Sequence, residues 1–569
     1  MSSKASTSTV DVASPYLGVN LGWVNDWDHT QVFADVMKQA RKFGSTTAPY
    51  DESASVDADG WPTQDAGVLL ISSNPGSWAA GSYALSFTGQ ATVAPYGDSN
   101  VKVGTVTYTS STNTSTATVT VGSSFQSLYL VFTNTKRTAS SASGTGLTNI
   151  SLMRPTSSGS PHAAGTLFTD RFLSRLGYFS AIRFKDFLGT DGSTYSSWSE
   201  RSIPAYASQQ EVPPHASNNQ QSTYVDGASY EYAIQLANKT GKDLWLNVPH
   251  LALGGTYALS DTTWATNLAL LCKYGSNATG TPYTGVYGSS GTNPQPSSGP
   301  VNAALDSGLH VYLEYSNEFW SGVGNQSTWI AAQAADAIAA QDSDLDWDGT
   351  TDTFTVEMRI AAKGTMLISE AFSSVYGSSN FGTVYRPVLA SQINNSGTYS
   401  GLDYLKERYS SASQYVWAAA GAPYMDYSGD TSGNSLTAAE VISGMQSYES
   451  ANAATWIASL SSIATSYGLK GGMVAYEGGQ GAIYQTTGAV GAQTEPAMRT
   501  ITTGLLDDWI SAGGSTFFYF KLCSADTWGL GTDISYDIDA DSGWNSSAAS
   551  SSETEPKWGA IKQVAKLGK

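Results

Sequence analysis

Eight short runs of apolar residues recur along this 569-residue chain, and they constrain its fold more than any other feature of the sequence. The runs are nearly continuous, which is typical of strands buried on both faces of a parallel sheet. Segments with a helical spacing of apolar residues separate them. The predicted strands span residues 16–22, 179–185, 243–249, 310–315, 383–392, 414–424, 472–476 and 515–522.

Strands that alternate with helices predict a (β/α)₈ barrel, the TIM-barrel fold of the α/β class. In such a barrel the functional side chains collect at the carboxyl ends of the strands. The predicted helices span residues 31–43, 230–240, 263–273, 328–340, 356–376, 438–467 and 499–512.

The first two strands are separated by far more sequence than one helix requires. Between about residues 60 and 155 the sequence changes to short alternating stretches with Gly, Ser and Asn between them, a pattern typical of a β-sandwich. We therefore predict the first strand and helix of the barrel at 1–59, an inserted all-β sandwich at 60–155, and the remainder of the barrel at 156–569.

The position and composition of the insertion suggest its role. Because it follows the predicted helix 31–43, we expect it to leave the barrel nearer the face opposite the strand ends. Its few aromatic residues fall mostly at positions that should face its own core. We expect a structural or weakly binding domain that packs on the barrel.

The chain is acidic, with 28 Lys and Arg against 47 Asp and Glu, for a net charge of −19. This balance argues against nucleic acid or an anionic membrane surface as a partner. No run of 18 apolar residues is present, so no membrane span is predicted.

Charged residues are only 13% of the chain, whereas Gly, Ser, Thr and Tyr are abundant. This composition favours a secreted or periplasmic protein, expected to be monomeric, that meets neutral hydroxylated ligands. The N-terminus has no apolar signal-peptide core, so we expect that a signal peptide has been removed. The alternative is a cytosolic protein. Cys272 and Cys523 are either two buried thiols or one long-range bridge.

Two of the predicted strands end in a carboxylate among aromatic and amide residues. Asn317 and Glu318 follow strand four, and Glu477 follows strand seven. Each Glu alone is also explained as an exposed loop residue. Two Glu residues at nearly opposite sides of a barrel mouth indicate instead that both act in one functional site. Glycoside cleavage requires such a pair, one carboxyl protonated and the other ionised.

The neighbours of the two acids fit that chemistry. Phe319 and Trp320 should desolvate Glu318 and raise its pKa. Gly478 and Gly479 are expected to leave room for a sugar to approach Glu477.

An Asn-Glu pair ending strand four, with a Glu ending strand seven, resembles the signature of the clan A glycoside hydrolases, the "4/7" retaining β-glycosidases. The resemblance covers about 15–55 and 160–565, and a barrel with a β-sandwich inserted after its first unit is similar to bacterial chains described as cellulose-binding or cellulase-like. It implies that Glu318 is the acid/base and Glu477 the nucleophile.

The resemblance also implies helper residues. Asn317 would hold the sugar 2-hydroxyl, Arg183 would lie near the nucleophile, His250 would bind substrate, and Tyr424 would hydrogen-bond the nucleophile. Members of the clan tend to carry a Trp at the end of strand eight, where this chain has Phe520 and Lys521. Trp528 follows further along.

Each helper also has a purely structural explanation. Arg183 is explained as a partner of an acid in the barrel wall, His250 as a helix cap, and Tyr424 as a packed aromatic residue. Trp23, Trp27 and Trp320 lie near strand ends, where they would form stacking platforms for sugar rings, and core packing explains each of them nearly as well.

A metal is only weakly indicated. Asp344, Asp346 and Asp348 have the spacing of a calcium loop, but Thr355 stands where the bidentate Glu belongs. No cofactor is expected. The sequence has no GxSxG, HExxH or GxxxxGK[ST] motif, which argues against serine hydrolases, zinc proteases and NTPases.

The sequence therefore predicts a retaining β-glycoside hydrolase that acts on a β-linked polysaccharide, a glucan, mannan, xylan or bacterial exopolysaccharide. The alternative is a non-catalytic polysaccharide-binding protein with the barrel as scaffold. Endo action is favoured, because Ser- and Gly-rich loops at 275–300 and 425–436 would form the walls of an open cleft. Exo action is the alternative, in which the same loops close one end of the cleft into a pocket.

Overall fold

A closed barrel of eight parallel strands forms the body of the molecule, so the predicted (β/α)₈ barrel is confirmed. Strand one pairs with strand two and with strand eight, which closes the ring. The strands are Ser14–Asn20, Phe179–Arg183, Asp243–Val248, Val311–Tyr315, Tyr385–Ala390, Ala418–Gly421, Met473–Ala475 and Phe517–Tyr519. The computed structural model describes residues 14–72, 79–210, 227–286, 293–322, 324–394, 397–430, 435–481, 485–524, 526–545 and 552–566.

Helices cover the outside of the barrel with one apolar face turned inward. The helix Tyr230–Thr240, for example, buries Tyr232, Ile234 and Leu236 and ends at Gly241, whose φ of 66° is left-handed. The α-helices are Asp170–Arg175, Tyr230–Thr240, Thr263–Tyr274, Asn325–Ala339, Thr353–Tyr376, Gly397–Tyr409, Ala438–Tyr448, Ala454–Ser466, Thr487–Ala492, Ala497–Ser511 and Pro556–Lys566. No helix of the described residues is long and apolar enough to span a bilayer.

The prediction of a helix at 31–43 is wrong. Only the 3-10 turn Val36–Gln39 forms there, and the Asp35 side chain caps it. The flanking backbone makes isolated β-bridges, Phe33 with Phe168 and Gly44 with Gly67. Pairing with distant strands overrides the helical spacing of the apolar residues.

Two antiparallel sheets lie between residues 66 and 153. One has the strand order Ala66–Ile71, Leu128–Lys136, Gln90–Pro95. The other has the order Val101–Val103, Thr114–Val121, Gly81–Thr88, Thr148–Met153, with Thr107–Thr109 also paired to Thr114–Val121. Apolar side chains of both sheets share one buried cluster, in which the Phe87 and Phe132 rings lie 5.7 Å apart.

These sheets lie beside the carboxyl ends of the barrel strands, not nearer the opposite face as expected from the sequence. The Ser72 N–H donates to the carbonyl of Asp26, in the loop after strand one, at 2.9 Å. Further hydrogen bonds join Lys38 to Gln209 and Asp59 to Ala207, in the loop after strand two. The missing helix explains the difference, because the chain enters these sheets directly from the strand-one loop.

The interior of the barrel is filled below the strand ends. The Trp245 and Tyr312 rings stack at 5.4 Å, and Phe518 packs edge-on against both. Within the barrel, a substrate therefore has to bind above this layer. Both cysteines are buried and free, so the long-range bridge between Cys272 and Cys523 is absent.

Candidate active site

Arg183, the last residue of strand two, lies at the centre of a polar cluster above the aromatic layer. Its side chain is fully buried. One guanidinium nitrogen donates to Asn20 Oδ1 at 3.0 Å and to Glu477 Oε1 at 2.8 Å. The other donates to Glu314 Oε2 and Asn317 Oδ1, both at 2.8 Å. A single side chain thus connects strands one, two, four and seven.

Glu477 is held on both of its oxygens. Arg183 occupies Oε1, and the Tyr424 hydroxyl donates to Oε2 at 2.8 Å. The ammonium of Lys185 lies 3.8 Å from Oε1, and the carboxylate side chain is only 5% exposed. Burial and the adjacent carboxylates keep the pKa of Tyr424 well above its usual range, so its hydroxyl remains a donor. These donors favour a fixed, ionised carboxylate.

Glu318 has a different environment. Its Oε1 accepts a hydrogen bond from the Tyr476 hydroxyl at 2.7 Å. Burial, and then the charge of Glu477, raise the pKa of Glu318 to about 7. The side chain lines a cavity of about 290 Å³ together with Trp320, Tyr424 and Tyr476. Glu318 is therefore able to hold a proton near neutral pH at the edge of an open space.

The turn that presents Glu318 has an unusual backbone. Ser316 has a φ of 59° and Glu318 a φ of 34°, values that residues with a Cβ rarely adopt. Such conformations cost of the order of 1–3 kcal/mol each, and they persist where the surrounding structure imposes them. The Ser316 N–H, which donates to the Val248 carbonyl at 2.8 Å, ties this turn to strand three.

The glycines after Glu477 serve packing, which corrects the expectation that they leave room for a sugar. A Cβ at Gly478 would lie 2.5 Å from Phe517 Cζ, and one at Gly479 would lie 2.8 Å from Tyr519 Cζ. Both positions are glycine because the aromatic rings of strand eight fill this space.

Asn317 is fixed at both ends of its amide. Its Oδ1 accepts from Arg183, while its Nδ2 donates to Asp191 Oδ1 at 2.8 Å. Asp191 also accepts from Lys185 at 3.0 Å and from Gln326 at 3.0 Å. One N–H of the Asn317 amide is left for another acceptor.

Several polar residues of the site were not predicted from the sequence. Tyr476 is marked only by its place directly before Glu477, whereas Lys185 stands two residues after Arg183, where strand periodicity would have found it. Glu314, which accepts from Arg183, Trp245 and Asn247, would have been found in the same way, as the inward-facing acid of strand four. Asp191 comes from a loop, and no sequence spacing marks it.

The expected aromatic platforms lie around the acids. The Trp320 ring packs 6.3 Å from Tyr476, and the Trp528 ring packs 5.5 Å from Tyr424. Trp23 lines a second cavity, of about 380 Å³, with Trp27 and Lys521.

His250 is buried away from the acid pair. Its ring lies 5.4 Å from Trp329, and its carbonyl accepts from the Tyr315 hydroxyl at 2.7 Å. Burial lowers the pKa of His250 to about 4, so the ring is neutral. The described residues show no hydrogen bond between His250 and Glu318 or Glu477, and a substrate-binding role for it stays a prediction.

The acidic loop at 344–348 forms ion pairs with basic side chains. Asp344 lies 3.0 Å from Lys363, and Asp348 lies 2.6 Å from Arg359. Asp346 is nearly buried. Within the described part of the chain, no three His, Cys, Asp or Glu residues are arranged to hold a metal ion.

One of the two loops expected to form the cleft wall lies elsewhere. The loop at 275–300, of which 287–292 lies outside the described residues, follows a helix and packs on Arg201, whose Nη2 donates to the Gly280 carbonyl at 2.7 Å. Its described residues line neither of the two cavities above. The loop at 425–436, described except for 431–434, contributes Asp426 to the cavity at Glu318.

No known family and no curated protein matches the chain. Among solved structures, it is similar to CelM2, a bifunctional glucanase-xylanase from a metagenome library, at 12% identity and a TM-score of 0.26 over 61% of this chain and 71% of that one. It is also similar to the CBM22-1–GH10 modules of the Clostridium thermocellum xylanase 10B, at 10% identity and a TM-score of 0.31 over 96% of each chain. Neither likeness is close enough to carry an inference about activity.

Proposed function

We propose that this protein is a retaining glycoside hydrolase that cleaves internal linkages of a β-linked polysaccharide. The observation that carries the proposal is the contrast between two carboxyl groups at one barrel mouth. Glu477 is held by a guanidinium and a hydroxyl, whereas Glu318 is bonded to a neutral hydroxyl and has a pKa raised to about 7. Glycoside cleavage needs these two states side by side.

In the first step Glu477 attacks the anomeric carbon while Glu318 gives its proton to the departing glycosidic oxygen. The carbon–oxygen bond to the leaving sugar breaks as the bond to the Glu477 carboxylate forms. The Tyr476 hydroxyl then stabilises the newly ionised Glu318.

In the second step Glu318 accepts a proton from water, and that water attacks the anomeric carbon of the glycosyl-enzyme ester. Glu477 leaves as a carboxylate, which Arg183 and Tyr424 again stabilise. Two inversions at one carbon retain the configuration. The remaining N–H of Asn317 is assigned to the sugar 2-hydroxyl.

Two cavities support cleavage at internal linkages of the polysaccharide. The one lined by Glu318, Trp320, Tyr448 and Trp456 is suited to the leaving part of the polymer. The other, lined by Trp23, Trp27 and Lys521, lies beside strands one and eight. Aromatic side chains in both are suited to the apolar faces of sugar rings.

We propose further that the two antiparallel sheets between residues 66 and 153 are an inserted β-sandwich. The support is their shared apolar cluster, which includes Tyr83, Leu85 and Val119 of one sheet and Val68, Leu130 and Phe132 of the other.

The test is release of reducing ends from soluble β-glucan, β-mannan and xylan and from bacterial exopolysaccharide, with the Glu477→Gln protein as control. We expect oligosaccharides of mixed length in the first minutes, and NMR of the new anomeric proton should show the starting configuration. Release of monosaccharide alone would contradict endo action. A product of inverted configuration would contradict the assignment of Glu477 as the nucleophile. Binding without release from every polymer would favour a non-catalytic binding protein.

A further inference from the structure

Four aromatic residues form a surface that runs from the candidate cleft onto the inserted sheets. Trp27 and Tyr50 are the most exposed aromatic side chains of the described residues, at 41% and 51%. Tyr96 and Tyr129 lie between exposed and buried. We propose that this tyrosine–tryptophan surface binds a single neutral polysaccharide chain, which extends the substrate site beyond the barrel; the inference rests on the proposed function.

Tyr129 is the centre of the tyrosine group. It lies on the strand Leu128–Lys136, whose alternate residues Leu128 and Leu130 are buried, so its ring faces outward. The ring of Tyr50 lies 6.3 Å from it and that of Tyr96 lies 5.8 Å from it. The Tyr96 hydroxyl donates to the Thr47 carbonyl at 2.9 Å and so fixes the segment that carries Tyr50.

Arg41 connects this group to the cleft. Its guanidinium lies 5.5 Å from the centre of the Trp27 ring and donates to Asp26 at 2.8 Å. Its backbone N–H donates to the Leu69 carbonyl at 3.0 Å, and Leu69 stands opposite Tyr129 in the sheet. Trp27 itself lines the cavity of about 380 Å³ at strands one and eight. The surface therefore reaches the cavity beside strands one and eight.

The ring geometry selects the kind of occupant. Tyr50 and Tyr96 are each inclined at 70° to Tyr129, so the three rings cannot lie together against a flat crystalline face. Inclined rings suit one chain whose successive sugar units turn relative to each other. Arg41 is neutralised by Asp26, and the chain as a whole carries −19, so an anionic polymer is disfavoured.

The sequence did not indicate this surface because its members are split along the chain. Trp27 and Tyr50 precede residue 60, whereas Tyr96 and Tyr129 lie within 60–155. A fragment limited to 60–155 lacks half of the site and is still expected to bind poorly.

The experiment measures binding by the full chain carrying Glu477→Gln, so that no polymer is consumed. The probes are soluble β-glucan, β-mannan and xylan, used in affinity electrophoresis and calorimetry. Adding Tyr50→Ala or Trp27→Ala should weaken binding of the preferred polymer about three- to ten-fold each. Adding Tyr108→Ala, on the other inserted sheet, is the matched control and should leave binding unchanged.

With Glu477 intact, Tyr50→Ala should raise the KM for the polymer by about the same three- to ten-fold factor. The KM for a trisaccharide of the same linkage should rise less. Equal effects on both substrates, no effect of Tyr50→Ala and Trp27→Ala on binding, or no binding of any of the three polymers would overturn the inference. A change in sedimentation coefficient with Tyr50→Ala would identify the surface as a contact between copies and also overturn it. Tyr50-dependent binding without hydrolysis would uphold it while the proposed function fails.

Discussion

Of the two carboxyl groups of the site, Glu477 is buried and Glu318 is partly buried, and their hydrogen-bond partners differ. Glu477 accepts from a guanidinium and a hydroxyl and lies near an ammonium. Glu318 accepts from the Tyr476 hydroxyl and borders an open cavity. Burial, and then the charge of Glu477, raise the pKa of Glu318, and the charge of Lys185 opposes them only in part. The comparison teaches that the neighbouring donors and charges give two similar acids different roles.

The largest effect is expected from Glu477→Gln, which removes the nucleophile but keeps the volume and an acceptor for Arg183. Turnover should fall by about 10⁴-fold or more on natural and activated substrates alike. Initial rates on the preferred polymer and on a dinitrophenyl glycoside measure this loss. Substantial residual activity on either substrate would reverse the assignment of the two acids.

Glu318→Ala should act unequally on the two kinds of substrate. On the polymer the rate should fall by about 10²–10⁴-fold, because the leaving oxygen needs a proton. On a dinitrophenyl glycoside the first step needs none, so the loss should be smaller and added azide should restore turnover. Equal losses on both substrates, with no response to azide, would contradict the acid/base role.

Arg183→Lys tests whether the guanidinium creates the difference between the two acids. One ammonium cannot replace the fork that reaches Asn20, Glu314, Asn317 and Glu477. We expect kcat/KM to fall by about 10²-fold and stability to fall by about 1–3 kcal/mol, measured by kinetics and urea unfolding. Arg359→Lys, at the distant pair with Asp348, is the matched control and should keep full activity.

The smallest effect is expected from Tyr476→Phe. Glu318 must be protonated to act as an acid, so kcat/KM of the native protein should fall as the pH rises through about 7. The Tyr476 hydroxyl stabilises the ionised form of Glu318, so its loss should raise the pKa and move this alkaline limb upward by less than about one pH unit. A downward shift, or the same shift with Tyr108→Phe, would contradict the assignment.

The sequence was sufficient for the barrel because each strand is an apolar run of its own. Runs such as that at 243–249 differ from the observed strand Asp243–Val248 by one residue. Both acids were found because they stand directly after such runs. The helix at 31–43 failed because its apolar residues meet partners more than a hundred residues away, such as Phe168.

The remainder of the site depends on tertiary structure. Asp191 reaches Asn317 from a loop after strand two, and no local pattern sets that contact. The glycines after Glu477 were visible, but the rings of Phe517 and Tyr519 that require them were not. Local sequence thus located the reacting groups and left their supporting contacts undetermined.

Closure of the barrel has a consequence for synthesis of the protein. The first strand ends at Asn20, and one of its two neighbours, Phe517–Tyr519, is synthesised long after it. The two inserted sheets pair only within residues 66–153, so they can form while most of the barrel is still untranslated. The nascent chain therefore carries a folded β unit beside an incomplete site, and the contact between Arg183 and Glu477 forms only after strand seven has been synthesised.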